Sequence, residues 1–230
     1  MKSLGSILRF KDINKESKGF ILRHDIDFDL GLALEMAIIE RDNDVKSTYF
    51  VLTGCETYNA LSNSNRAIIL NMLKMGHEIG LHFDPTRWHC DIETGFQEEV
   101  RILSEIIGKD IKSVSLHNPS VHNQYPSFNG FNNAYDNRYF GQDRYLSDSS
   151  MNFRGKAPFS FIENVKSVEL MQVLIHPMHY SDLFSGYGEI TAQTFVSNMN
   201  KFYADWCVNE TFVDDVGPSY LECFLHKLKL

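Results

Sequence analysis

Carboxylate and imidazole side chains stand directly after several short apolar segments of this chain. Asp25 and Asp27 follow the apolar run 19–22 and are two residues apart. If this stretch is a strand, its period of two places both carboxylates on the same face. A helical pattern starts immediately afterwards, with Asp29 at the position of an N-cap. Later apolar segments are followed in the same way by His82, His117, Asp148 and His176.

Aspartate and histidine together, without cysteine, form a donor set suited to a divalent ion such as zinc or another transition metal. An open site of this kind leaves positions for water and substrate, lowers the pKa of the water and polarises a carbonyl. A second carboxylate beside the ion would serve as general base, and a histidine across the pocket would protonate the leaving group. The chemistry that these parts predict is hydrolysis of an amide or ester.

The elements that must position these side chains alternate between strand and helix. After the first strand, short β-branched and aromatic segments predict strands at 45–52, 77–82, 111–116, 144–147 and 170–175. Apolar residues at helical spacing predict helices at 30–41, 64–75, 93–107, 190–207 and 220–228, the fourth with Phe195, Met199 and Phe202 inward. This alternation favours a mostly parallel sheet, and polar residues at successive strand ends predict an α/β barrel with one site at its carboxyl-end mouth.

The composition predicts an ordinary globular protein. Its 230 residues suit one domain, 1–230, and the net charge of −8 disfavours nucleic acid and anionic membranes as partners. No apolar window is long enough for a membrane span, and the charged first fifteen residues disfavour a signal peptide. The four cysteines form no CxxC pair, so free thiols and a cytoplasmic location are expected.

Three segments resemble the polysaccharide deacetylase superfamily in its Asp-x-Asp variant. They are Leu22-Arg23-His24-Asp25-Ile26-Asp27, Ser47-Thr48-Tyr49-Phe50 and Gly76-His77-Glu78-Ile79-Gly80-Leu81-His82. The likeness extends over about 20–180. It implies an irregular (β/α) barrel that acts as a metal-dependent carbohydrate N- or O-deacetylase, with a role in surface polysaccharide biosynthesis.

The resemblance also implies roles for individual residues. Asp25 would be the catalytic base, Asp27 and His82 metal ligands, and His176 the general acid. Asp148 either orients His176 or lies in a surface turn. The substrate would be an amino sugar, a sugar nucleotide or a lipid-linked glycan, contacted by Trp88, Asn118, His179 and Tyr180.

The chain departs from the family pattern at two positions. The family has a second metal histidine four residues after the first, where this chain has Thr86. His117, at the end of a neighbouring strand, is the preferred third ligand, and His89 is the alternative. His117 also replaces the arginine that orients the base in the family, a task that Arg23 or Arg154 could take over.

Three further interpretations stay open from the sequence. The aromatic side chains of the long segment 117–142 either stack on a sugar or anchor the segment to the barrel, the residues concerned being Phe128, Phe131, Tyr135 and Tyr139. The protein could instead be another C–N amidohydrolase on the same barrel. It could also be a non-catalytic carbohydrate-binding relative that has lost the metal.

Overall fold

The computed structural model describes residues 1–88, 91–165, 169–180, 186–217 and 219–228. The chain divides into two compact units, Met1–Ser181 and Asp182–Leu230. All strands described here and every predicted site residue in the described ranges lie in the first unit. The prediction of one domain over 1–230 stays a prediction.

The first unit is built on one sheet of parallel strands. The strands are β1 (Ile7–Leu8), β2 (Gly19–Ile26), β3 (Thr48–Val51), β4 (Glu78–Phe83), β5 (Ser113–Leu116), β6 (Asn132–Asn133), β7 (Tyr145–Ser147) and β8 (Leu170–Leu174). Their order is β6-β5-β4-β3-β2-β8-β7, with β1 also paired to β2. Because the strands are parallel, their carboxyl ends meet at one edge. The long strand β2 lies near the middle of that order.

Helices of the first unit follow the strands along the chain. They are α1 (Leu30–Asp42), α2 (Asn63–Lys74), α3 (Ile92–Ile107), the one-turn α4 (Pro119–His122) and α5 (Pro158–Glu163). The predicted cap of α1 is confirmed, since the Asp29 side chain accepts a hydrogen bond from the Leu32 amide at 3.1 Å. Gly108 ends α3 at φ 65°, a conformation that glycine adopts at little cost.

The sheet curls into an incomplete barrel. Ile21 of β2, Phe50 of β3 and Leu170 of β8 share one buried cluster with Ala134 and Tyr139, which follow β6. Across this interior the Gln172 side-chain amide donates to the Ala134 carbonyl at 2.9 Å, although β8 and β6 are far apart in the strand order. The predicted α/β irregular barrel is therefore confirmed.

Alternate residues of β2 face opposite sides, as its period requires. Phe20 and Leu22 pack in an outer cluster with Leu146 and Val173, while Ile21 lies inside the barrel. All eight residues of β2 are buried. Arg23 and Asp25 have the same parity as Ile21 and therefore point into the interior.

A buried polar network fixes α1 against the sheet beneath the site. His24 contacts the Ile175 carbonyl through Nδ1 and Glu40 through Nε2, both at 2.9 Å. Ser47 and Tyr49 donate to the other Glu40 oxygen at 2.6 and 2.8 Å. The carboxylate is thus fully satisfied, as a buried charge must be. The network ties β2 to the residue that precedes His176.

The second unit consists of helices in its described part. They are α6 (Tyr187–Trp206), α7 (Glu210–Val216) and α8 (Tyr220–Leu228). The prediction that Phe195 and Phe202 face inward is wrong, because their side chains are 57% and 62% exposed. The buried side of α6 instead contains Ile190 and Thr194. Among the described helices of both units, none combines the length and apolarity needed to span a bilayer.

A substitution at Gly80 in β4 tests how tightly the barrel interior is packed. A Cβ atom at this position would lie 2.5 Å from Cε1 of Phe50 and 2.9 Å from Oγ of Ser113. We therefore expect Gly80→Ala to lower the free energy of unfolding by about 1–3 kcal/mol, because it overfills a packed interior. Urea unfolding measures this change.

Gly54→Ala is the matched control, since a Cβ there meets nothing within 4 Å. We expect its effect to stay within about 0.5 kcal/mol. Equal effects of the two substitutions would contradict the packing assigned to the interior.

Candidate metal centre and catalytic pair

Asp27 lies one residue beyond the end of β2. Histidines at the carboxyl ends of two other strands of the sheet, β4 and β5, lie close to its carboxylate. His82 near the end of β4 places Nε2 3.1 Å from Asp27 Oδ1. His117, the residue after β5, places Nδ1 3.4 Å from the same oxygen. The two ring nitrogens are themselves 3.3 Å apart. The structure therefore brings together all three residues predicted to bind metal.

These three atoms have the spacing of ligands around a small metal ion. With zinc–ligand bonds of about 2.0–2.2 Å and tetrahedral geometry, neighbouring ligand atoms are roughly 3.3–3.5 Å apart. The separations among Asp27, His82 and His117 are 3.1, 3.3 and 3.4 Å. One carboxylate and two imidazoles are also a borderline-hard donor set that suits zinc. The residues present fit a divalent ion.

The electrostatics of Asp27 favour its charged form. Burial acts to raise its pKa, but hydrogen bonds from His117 and His82 and the nearby charge of His176 hold the pKa well below the usual range. Burial acts to lower the pKa of His117, and the hydrogen bond with Asp27 raises it above the usual value. The carboxylate is therefore ionised and ready to bind a cation.

One carboxylate oxygen of Asp25 accepts two hydrogen bonds, and the other has no hydrogen-bond partner among the described residues. Its Oδ2 accepts hydrogen bonds from Nη2 of Arg23 at 3.2 Å and from Oγ of Ser115 at 3.1 Å. Its Oδ1 is buried and has no hydrogen-bond partner among the described residues. A carboxylate oxygen that is desolvated and unpaired is suited to accept a proton from a water molecule in the site.

Arg23, rather than Arg154, stands against the predicted base. Its guanidinium is fully buried and also donates to Gln172 and to the hydroxyl of Tyr135, at 3.2 and 3.3 Å. Burial acts to lower its pKa, but Asp25 raises it above the usual value. Arg154 follows β7 and is exposed. Of the two arginines that the sequence offered, the structure puts Arg23 in contact with Asp25.

His176 is held in place by the carboxylate of Asp148. Both Asp148 oxygens accept the His176 backbone N–H, at 3.1 and 3.0 Å, and Oδ1 lies 2.5 Å from Nδ1 of the ring. The other Asp148 oxygen lies 3.0 Å from Nδ1 of His179. With Nδ1 engaged, Nε2 of His176 faces Asp27 at 3.7 Å. Asp148 orients His176, and the alternative of a surface turn is wrong because the carboxylate is buried.

Asp148, His176 and His179 also form a group of potential metal ligands. The 2.5 Å between Asp148 Oδ1 and His176 Nδ1 is a short hydrogen bond and is too close for two ligands of one ion. Burial acts to lower the pKa of His176, and the hydrogen bond to Asp148 raises it above the usual value. This group therefore matches an acid held by a carboxylate better than a second metal centre.

The remaining predicted residues are placed as follows. Thr86 donates to Asp84 at 2.7 Å in a local turn, and His89 lies outside the described residues. Trp88 donates to Glu99 of α3 at 2.8 Å and packs over Gly95. Asn118 contacts His117, and the Tyr180 ring is 52% exposed beside His179. Sugar contacts by Trp88, Asn118, His179 and Tyr180 stay predictions.

The aromatic side chains of segment 117–142 anchor it to the barrel. Phe128 stacks on Phe96 of α3 with ring centroids 3.6 Å apart, and Phe131 contacts the edge of the same ring. Tyr139 is fully buried, and Tyr135 packs against Arg23 inside the barrel. Of the two interpretations left open, the anchoring one describes these residues.

Ser115, which donates a hydrogen bond to Asp25, is a site residue that the sequence patterns did not predict. It lies on β5 two residues before His117, so the period of two puts it on the same inner face. That parity was the available signal. Nothing in the sequence showed that its hydroxyl would reach Asp25 on another strand.

Comparison with known proteins gives matches at the level of structure. No protein-family model matches the sequence, and neither does any curated protein. The solved structures that it resembles include the catalytic domain of a peptidoglycan N-acetylglucosamine deacetylase from Eubacterium rectale, at 17% identity over 83% of this chain and 87% of that chain, with a TM-score of 0.45. The chitin deacetylase of Colletotrichum lindemuthianum is 18% identical over 83% and 86%, with a TM-score of 0.46.

A CE4 family pseudoenzyme from Bacillus anthracis is also similar, at 12% identity over 71% of this chain and 56% of that chain, with a TM-score of 0.45. The solved structures found include polysaccharide, peptidoglycan and chitin deacetylases, the class of proteins that the sequence segments resemble. Similarity of this degree does not by itself assign a function to the chain.

The pairing of Arg23 with Asp25 can be measured by a double-mutant cycle. We expect Arg23→Met and Asp25→Asn each to destabilise metal-free protein by about 3–5 kcal/mol, because each leaves a buried partner uncompensated. The double variant should be more stable than the sum of the two losses predicts, by about 0.5–3 kcal/mol. Urea unfolding of the four proteins gives the coupling, and strictly additive losses would contradict the ion pair.

The role of Asp148 can be measured by NMR titration of the His176 ring in metal-free protein. The carboxylate stabilises the imidazolium, so Asp148→Asn should lower the pKa of His176. Asp143→Asn removes an exposed carboxylate paired with Arg144 and should leave that pKa unchanged. An unchanged pKa in Asp148→Asn would show that Asp148 does not hold the ring.

Proposed function

We propose that the protein is a metal-dependent carbohydrate deacetylase that removes an acyl group, most simply N-acetyl, from an amino sugar. The observation that carries this proposal is that one cluster of potential metal ligands is accompanied by two groups able to transfer protons. Asp25 has a buried carboxylate oxygen without a hydrogen-bond partner among the described residues, and His176 directs Nε2 toward Asp27. Hydrolysis of an amide needs a base for the water and an acid for the leaving nitrogen, and both are present.

Asp27, His82 and His117 would hold the ion, for which zinc is the proposed identity. A bound divalent ion supplies a Lewis acid that lowers the pKa of water and polarises the substrate carbonyl. The three residues would contribute one negative charge and two neutral imidazoles, so with a divalent ion the centre would carry a net positive charge. That charge would favour the negative charge that develops on the carbonyl oxygen during attack.

Asp25 is assigned the general base. Arg23 and Ser115 occupy Oδ2, so Oδ1 is the atom left to take the proton of the attacking water. The water oxygen then bonds to the carbonyl carbon. The fixed guanidinium prevents the carboxylate from turning away, which keeps the accepting atom in place for each turnover.

His176 is assigned the general acid. Asp148 accepts a hydrogen bond from the Nδ1–H group of His176, so the proton on Nε2 of the imidazolium is the one available to the site. When the C–N bond breaks, this proton moves to the departing amine, and the acyl group leaves as a carboxylic acid that then loses its proton to water. Burial acts to lower the pKa of His176, but the hydrogen bond to Asp148 raises it, which favours the protonated ring before this step.

A sugar is the proposed substrate because an exposed aromatic residue, Tyr180, follows the assigned acid by four residues in the sequence. Tyr180 directly follows His179, and its side chain is available for stacking on a sugar face. The Asp-x-Asp segment supports a role in surface polysaccharide biosynthesis, for which a sugar nucleotide or a lipid-linked glycan in the cytoplasm is the proposed substrate. The other amidohydrolase and the non-catalytic binding relative are alternative outcomes of the experiments that follow.

Zinc binding and turnover separate the roles of the two aspartates. Asp27→Ala should lose zinc, since it removes the charged ligand, whereas Asp25→Asn should keep one zinc per chain. Asp25→Asn should lower kcat by about 10²–10⁴, the usual contribution of a positioned base. The measurements are elemental analysis after dialysis and acetate release from a panel of N-acetylated sugars and sugar nucleotides.

His117→Ala and His122→Ala form a matched pair. Both remove an imidazole, but His122 is exposed on α4 and lies outside the ligand cluster. Only His117→Ala should lose zinc. A parent protein that binds no zinc would support the binding relative, and turnover of cyclic imides without any acetyl sugar would support the other amidohydrolase.

A further inference from the structure

The ring of His117 is contacted at both nitrogens. Nδ1 lies 3.4 Å from Asp27 Oδ1 and 3.3 Å from His82 Nε2, inside the ligand cluster. Nε2, on the other side of the ring, lies 2.9 Å from the side-chain amide of Asn118. A metal ion held by this cluster would therefore use Nδ1, and Asn118 stands at the nitrogen that would not bind it.

The hydrogen-bonding capacity of the two nitrogens depends on where the ring proton is. In a neutral imidazole one nitrogen donates and the other accepts. The contact in the structure joins Asn118 Nδ2, which can only donate, to Nε2 of His117. In the neutral ring the proton then lies on Nδ1, facing the Asp27 carboxylate. This is the metal-free arrangement.

Metal binding requires the opposite arrangement. Nδ1 must offer its lone pair to the ion, so the ring proton must lie on Nε2 and needs an acceptor. A half-turn of the Asn118 amide brings its oxygen to the position that its nitrogen occupies. An amide can thus satisfy Nε2 in both arrangements, whereas a hydroxyl-free apolar side chain can satisfy neither.

The backbone places this amide beside the ring. Asn118 has φ 46° and ψ 42°, in the left-handed region, directly before Pro119 and the single turn of α4. Asparagine and glycine adopt this region more readily than other residues. The left-handed residue turns the chain sharply at the end of β5, so that an exposed side chain bends back over the ring that precedes it.

We propose that Asn118 selects Nδ1 as the metal-binding nitrogen of His117, by accepting a hydrogen bond from the Nε2–H group when the ion is bound and donating a hydrogen bond to Nε2 when the ion is absent. This inference rests on the proposed function, in which His117 is a metal ligand. Asn118 is then a positioning residue of the metal centre. The sugar contact predicted for it from the sequence is a different role.

The other histidine of the centre lacks such a partner in the described part of the chain. Nδ1 of His82 is buried and has no hydrogen bond to any described residue. Loss of a partner at the second nitrogen of a metal-binding histidine costs about 10–100-fold in metal affinity. Because the described residues provide this support only at His117, we expect the affinity of the centre to depend strongly on Asn118.

Two substitutions at position 118 separate the side chain from the backbone. Asn118→Gly keeps the left-handed conformation and removes the amide, so it should weaken zinc binding by about 10–100-fold. Asn118→Asp keeps an acceptor of similar shape and should bind zinc at least as tightly as the parent. Zinc affinity is measured by competition with a chromophoric chelator, using the full chain.

A spectroscopic readout tests the proton arrangement itself. Long-range proton–nitrogen NMR spectra, recorded at a pH at which the His117 ring is neutral, should show the Nδ1–H form of His117 in metal-free parent and the Nε2–H form after addition of zinc. The inference would be overturned if the zinc affinity of Asn118→Gly lay within twofold of the parent's. It would also be overturned if Asn118→Asp lost as much zinc affinity as Asn118→Gly. A parent that binds no zinc would overturn the proposed function and this inference with it.

Discussion

The Asp27 carboxylate is the point on which the rest of the site depends. Nitrogens of His82, His117 and His176 lie 3.1, 3.4 and 3.7 Å from its oxygens. These histidines come from the ends of three different strands, so their convergence requires the parallel order and the curl of the sheet. The carboxylate is partly exposed, and it faces imidazoles on several sides. Three imidazole nitrogens around one carboxylate are explained by a cation that these residues share. Capping of the following helix does not explain them, because Asp29 caps α1.

The buried ion pair between Arg23 and Asp25 is a second constraint on the site. A fully buried guanidinium requires an anionic partner, and Arg23 finds it two residues along its own strand, in Asp25. Phe50, Tyr135 and Tyr145 surround the guanidinium within 6 Å, at distances suited to cation–π contact. Asp25, the proposed base, is therefore held by a residue of its own strand. This leaves the end of β5 free to carry His117, which takes the place of the arginine expected there.

The sequence predicted the strands and helices that have strong periodicity, and it identified the polar residues at strand ends. The period of two in β2 placed Asp25 inside the barrel, and the end of β5 singled out His117. It could not predict the two-residue strands β1 and β6, which have too few residues to show a period. The choice between Arg23 and Arg154 depends on side-chain burial, and the reach of Ser115 to Asp25 depends on strand register. The anchoring of Phe128 on Phe96 is likewise a tertiary contact that a loop composition does not encode.

The central claim is that Asp27, His82 and His117 bind one ion together. Anomalous X-ray diffraction at the zinc edge, from crystals grown with zinc, tests it most directly. We expect one strong anomalous peak from zinc, within about 2.0–2.2 Å of Asp27 Oδ1, His82 Nε2 and His117 Nδ1. A peak at Asp148, His176 and His179, or a zinc ion at Asp27 and His82 that His117 does not approach, would contradict it.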